Sequence, residues 1–156
     1  MLLIHWSKHN NGNLILQNGI KPSRKAFMND TRMKGVWCFP YTRNKTLNTR
    51  WKSFLKKDRG NTTYNGFVFK LEPTDFPIYA GDFGAIKSSP ASRLFETYKS
   101  FSDQYGHYFS PKTLAMDYIE KNGMDEIPDY FDFEIILPNL ITARRIIKVI
   151  KDSDPI

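Results

Sequence analysis

Residues 66–71 read Gly66-Phe67-Val68-Phe69-Lys70-Leu71, with Pro73 two positions further on. A run so apolar and so rich in aromatic and β-branched residues, closed by a proline, predicts a central strand. Working outward toward the C-terminus, Phe76-Pro77-Ile78-Tyr79-Ala80 predicts a shorter strand, and Phe131 to Leu137, ended by Pro138, predicts another. Beyond it Ile141, Ile146, Ile147, Val149 and Ile150 make a β-branched tail that reads as strand rather than helix. Toward the N-terminus, Gly35-Val36-Trp37-Cys38-Phe39, closed by Pro40, and Leu2-Leu3-Ile4-His5-Trp6, followed by the turn signal Asn11-Gly12, add two more.

Helical signals lie between these strands. Leu14, Ile15 and Leu16 precede Gly19, with Asn11 or Asn13 as the N-cap and Gly19 as the stop. Leu47, Trp51, Phe54 and Leu55 fall on one helical face, and residues 91–101 and 113–122 predict two further helices. Strands outnumber helices and do not alternate strictly with them, which argues for an α+β fold and against a doubly wound sheet. At 156 residues, without internal repeats or low-complexity segments, the chain reads as a single domain over 1–156.

Hydrophobic residues make up 40% of the chain, which excludes disordered and collagen-like classes. The single cysteine, Cys38, makes no internal bridge, and Met1 to Asn10 carries neither a basic leader nor a long apolar run. The reading is of a cytoplasmic protein with no membrane partner. Charge is uneven: the chain is +7 overall, but residues 1–70 carry fourteen lysines and arginines against Asp30 and Asp58, a net +12. Arg43, Lys45, Arg50, Lys52, Lys56, Lys57 and Arg59 crowd one stretch with Asp58 as the only acid. Such a patch either concentrates phosphate-bearing ligands or is a solvated helix face.

Familiar motifs are missing. Gly81-Asp82-Phe83-Gly84 lacks the spacing and the Lys-Ser/Thr ending of a phosphate loop, and three histidines with one cysteine give no zinc spacing, so no metal is expected. Cys38, inside an apolar strand, reads as core rather than as a nucleophile. What remains is an ordered set: His5-Trp6-Ser7 at the end of the first strand, Gly35-Val36-Trp37 opening a second, and Glu134 before Ile135-Ile136-Leu137. Singly, each has a plain reading: His5 as a hydrogen-bonded core histidine, Trp37 as a core aromatic, Glu134 as an outward strand position.

In this order the set resembles the ADP-ribosyltransferase family, in particular its compact bacterial members and the related RNA 2'-phosphotransferases. His-x-Ser/Thr is matched by His5-Trp6-Ser7, the following Leu/Ile-x-x-x-Gly-Ile helix by Ile15 to Ile20, and the Gly-hydrophobic-aromatic strand by Gly35-Val36-Trp37. The strand with a single glutamate is matched by Glu134-Ile135-Ile136-Leu137-Pro138 and the Ile-rich tail behind it. The resemblance implies two small, mostly antiparallel sheets forming a cleft with flanking helices, and NAD as the substrate. Glu134 would be the catalytic carboxylate; His5 and Ser7 would hold the cofactor, and Trp37 or Tyr41 would stack on nicotinamide. Arg24, Lys25 or Arg43 would face the pyrophosphate, and Arg43, Arg50 and Lys52 are candidates for contacting substrate phosphates. The paired acid of arginine-modifying members falls at Asp132, one methylene shorter, so an arginine acceptor is not implied. A nucleic-acid or protein acceptor remains, for a toxin or a nucleic-acid modifier, and no cognate inhibitor protein is identified by these residues. The competing reading is a non-catalytic basic domain that binds DNA or RNA or regulates; a 2'-phosphotransferase-like enzyme ranks below it.

Overall fold

The computed structural model describes residues 1–23, 34–41, 52–53, 56, 60, 63–82, 93–105 and 133–152. Among the described residues seven strands come in chain order: β1 Leu2–Lys8, β2 Val36–Tyr41, β3 Tyr64–Lys70, β4 Ile78–Asp82, β5 Arg93–Phe95, β6 Phe133–Leu137 and β7 Ile146–Ile150. Two helices are described over their whole length, α1 over Gly12–Asn18 and α2 over Tyr98–Tyr105, and Lys52, Ser53 and Lys56 are helical as well. The strands form one sheet in the order β5-β4-β6-β2-β1-β3-β7, every neighbouring pair antiparallel.

The stretch that reads as a central strand is one: β3 lies between β1 and β7, and Tyr64 to Phe69 are all buried. Burial on both faces is why Phe67, Val68 and Phe69 run apolar in succession instead of alternating with polar residues. The β-branched tail pairs with β3 as β7, from Gly66 opposite Ile150 to Phe69 opposite Ile146. The strand expected over Val36 to Phe39 continues through Pro40, which stands opposite Leu3, to Tyr41.

Alternation along the strands sorts the core into two faces. Leu3, Val36, Cys38, Phe67, Phe69, Ile135 and Leu137 share one cluster with Ile15 of α1 and Phe101 of α2. Ile4, Trp6, Phe39, Tyr64, Val68 and Ile150 make the second, with Leu2, Trp37 and Tyr41 packed against it. Period-two alternation is what assigns neighbouring residues of one strand to opposite cores.

The expectation of two small sheets with flanking helices is corrected here. The described residues form a single seven-stranded sheet, with two helices of seven and eight residues. The reason is β2, which serves two partners with different halves. Its Phe39 to Tyr41 pair with Ile4 to Leu2 of β1, while its Val36 to Cys38 pair with Leu137 to Ile135 of β6. The strand thereby joins what would otherwise be two sheets.

The helix expected over 91–101 is also displaced. Arg93–Phe95 is β5, paired with β4, and α2 starts only at Tyr98. Thr97 sets that start, since its hydroxyl accepts a hydrogen bond from the Ser100 N–H at 3.2 Å, as an N-cap does. The helix expected over 113–122 lies outside the described residues, and of the one expected around Leu47 to Leu55 only Lys52 and Ser53 are described, both helical. Among the described residues no helix is long and apolar enough to cross a membrane.

Candidate functional site

The divided pairing of β2 opens a fork. The β1–β2 ladder stops at Ile4 opposite Phe39, yet β1 continues to Lys8 along β3 and β2 continues toward Val36 along β6. Beyond the end of the ladder the two strands part. His5 stands at that point, and its Nδ1 meets the Trp37 carbonyl oxygen at 2.8 Å. A carbonyl only accepts, so Nδ1 carries the proton of this hydrogen bond and Nε2 is the ring nitrogen that can face a ligand in the cavity.

A cavity of about 630 Å³ occupies the fork, within the size range of cofactor sites. From one face of the sheet come His5 and Ser7, and from the other Trp6, Trp37, Phe39, Tyr64 and Glu134. Glu134 is 5% exposed and sits on β6 in register with Gly81 of β4. Among the described residues it is the one acid lining the cavity, which Lys8 and Lys21 also line. Low surrounding polarizability strengthens what a carboxylate in such a place does to a developing positive charge.

The third wall is α1. Asn11, Leu14, Ile15, Asn18 and Gly19 line the cavity at helical spacing, one face of a short helix whose Ile15 is anchored in the core. Asn11 donates from Nδ2 to the Ser7 hydroxyl at 3.4 Å, tying this wall to β1. The far end is fixed by Gly19, at φ +79°, where a Cβ would fall 2.2 Å from the Ile141 carbonyl oxygen. That approach lets Ile20 and Ile141 exchange backbone hydrogen bonds of 2.8 and 3.1 Å.

Of the residues singled out from sequence, the fold therefore gathers His5, Ser7, Trp37 and Glu134 around one cavity. Tyr41 is placed elsewhere, at the end of β2, where its hydroxyl meets Lys148 Nζ at 3.2 Å. Lys52 is tied to the far end of the chain, 2.9 Å from an Asp152 carboxylate oxygen. Arg24, Lys25, Arg43, Arg50 and Asp132 lie outside the described residues. Sequence reasoning missed Trp6, Phe39 and Tyr64 as cavity walls, together with the α1 face and its flanking lysines. The spacing of Asn11, Leu14, Ile15 and Asn18 carried the signal for the α1 face.

Cys38 takes no part in nucleophilic chemistry. It is fully buried, and burial first, then the Asp75 and Glu134 charges, pushes its thiol well above the ordinary range. A protonated thiol in the core is unreactive. Among the described residues no group of three His, Cys, Asp or Glu side chains is placed to hold a metal ion. In comparisons with known proteins, no family model matches this chain, and neither a curated protein nor a solved structure is significantly similar to it.

Proposed function

We propose that the protein cleaves the nicotinamide–ribose bond of NAD and transfers ADP-ribose to an acceptor. One observation carries this reading: His5, Ser7, Trp37 and Glu134, 129 positions apart at the extremes, line one cavity of cofactor size. The support is in the side chains rather than in the sheet architecture, because one scaffold hosts unrelated chemistries.

Breaking the glycosidic bond leaves positive charge on the ribose, and nicotinamide departs as a neutral leaving group. Glu134, buried and acidic, would accept a hydrogen bond from the ribose 2'-hydroxyl and stabilise that charge more in the transition state than in bound NAD. Nε2 of His5 would hydrogen-bond a hydroxyl of the other ribose, and Ser7 would orient the same end. Trp37 offers a face for the nicotinamide ring. The acceptor X–H then adds to the anomeric carbon and releases its proton; water in that role gives ADP-ribose itself.

The test is nicotinamide release from NAD by the purified protein and by its Glu134→Gln variant. We expect the variant to retain NAD binding and to lose release by a factor of about 100 or more, the scale of losing one preorganised electrostatic contact. Equal rates in the two proteins would remove Glu134 from the chemistry, and no release by the parent protein would end the NAD reading.

A further inference from the structure

The glycosyl step uses neither of the two described lysines that line the cavity. Lys8 ends β1 and Lys21 follows the bridge residue Ile20, so they stand at the two ends of the α1 wall. Both are exposed, and among the described residues neither has an ion-pair partner. By contrast Lys52 and Lys56 share the carboxylate of Asp152, and Lys99 pairs with Asp103. Between Lys8 and Lys21 the helix presents Asn11 and Asn18, which donate and accept hydrogen bonds, and Leu14, which is 59% exposed.

The geometry points to a single-stranded nucleic acid lying along α1, with its backbone phosphates on Lys8 and Lys21 and a base entering the fork. Three features favour this occupant. Lys8 precedes α1 and Lys21 follows it, so the two exposed cations bracket the helix instead of sharing one turn of it. An exposed leucine between them offers an apolar surface to a base or sugar, and the asparagines offer partners to phosphate and sugar oxygens. The whole N-terminal half is basic as well, with fourteen lysines and arginines against two acids over residues 1–70. A base must leave its stack to reach a group in a cavity, so the strand is single. This deepens the reading above by naming the acceptor class, but the binding it describes does not depend on turnover.

The experiment is fluorescence anisotropy of a short labelled single-stranded oligonucleotide, RNA and DNA in parallel, titrated with the full chain over a series of salt concentrations. Lys8→Gln and Lys21→Gln are compared with the parent and with Lys99→Gln, an exposed change on α2 away from the cavity. We expect binding that weakens with salt, and a slope of log affinity against log salt that falls by about 0.7 in each cavity variant, the value for one lost single-strand phosphate contact. Lys99→Gln should keep the parent slope. A parent protein that binds no oligonucleotide at low salt, or slopes unchanged in both cavity variants, overturns the proposal. So does an unchanged slope accompanied by weaker binding of ADP in the same variants, which would assign the lysines to the diphosphate of the dinucleotide. Intact oligonucleotide binding without nicotinamide release would sink only the glycosyl-transfer reading. Release that depends on Glu134, without oligonucleotide binding, would sink only this one.

Discussion

Asp75 shows what one buried charge does for this fold. It is 5% exposed, and its two carboxylate oxygens each accept a hydrogen bond from Arg145 at 2.7 Å, a bidentate pair. The same carboxylate caps the backbone N–H of Glu72 at 2.8 Å, and Arg145 also donates to the Lys70 carbonyl oxygen. Three donors are thus satisfied by one carboxylate, between the end of β3 and the approach to β7. Asp75→Ala takes the bidentate partner from Arg145 and leaves it the Lys70 carbonyl and Glu72 at 3.5 Å, so we expect a loss of about 3 kcal/mol, the low end for breaking a buried pair, measured by chemical denaturation. A loss under about 1 kcal/mol would place the pair among weak surface contacts. None of this is legible in the sequence, where Asp75 is an acid after a proline and Arg145 is one cation of an Arg-Arg pair. His5 and Glu134 were legible as candidates only through the order of motifs they share with the family they resemble, since each alone has a plain structural reading.

At the scale of elements, α1 is held less by its own seven residues than by what closes it. Helices this short are marginal alone and depend on tertiary packing. Gly19 supplies that packing by bringing the backbone against Ile141 at positive φ. Gly19→Ala meets both the left-handed backbone and a carbonyl oxygen 2.2 Å from the new Cβ. We expect a loss of at least about 2 kcal/mol, the sum of strain at a positive φ with extended ψ and a forced backbone shift. Hydrogen exchange should show loss of protection at the Ile20 and Ile141 amides, which pair with each other. Unchanged protection would mean that the bridge survives without glycine. The helix and its stop are legible because both signals are local: an apolar cluster followed by glycine. β5 is not legible, since Arg93-Leu94-Phe95 is too short for any period and is a strand only because β4 lies beside it.

At the scale of the whole molecule, Asp152 joins the end of the chain to residues 100 positions earlier. Its carboxylate meets Lys52 Nζ at 2.9 Å and Lys56 Nζ at 2.7 Å. Burial alone would raise its pKa, but hydrogen bonds from Lys56 and Lys52 and their charges hold the carboxyl below the ordinary range. A carboxylate depressed in the folded state contributes stability above its unfolded value, about 3.9, and loses it as pH falls through the folded value. Thermal midpoints measured down the acid limb should therefore fall less steeply in Asp152→Asn than in the parent. Parallel limbs would show that the clasp adds nothing to acid stability. By itself the sequence determined that strands dominate, that the run beginning at Gly66 is a central strand, and that the β-branched tail is a strand, all of which follow from local composition and period acting over a few residues. His5, Trp37 and Glu134 stood out only as an ordered set that resembles a known family. Only the tertiary structure decided that there is one sheet rather than two, that Trp6, Phe39 and Tyr64 wall the same cavity as Glu134, and that Lys52 pairs with an acid. Those depend on the register of β2 against two strands far away in the chain, and register is set by the mutual burial of whole faces, not by any one segment.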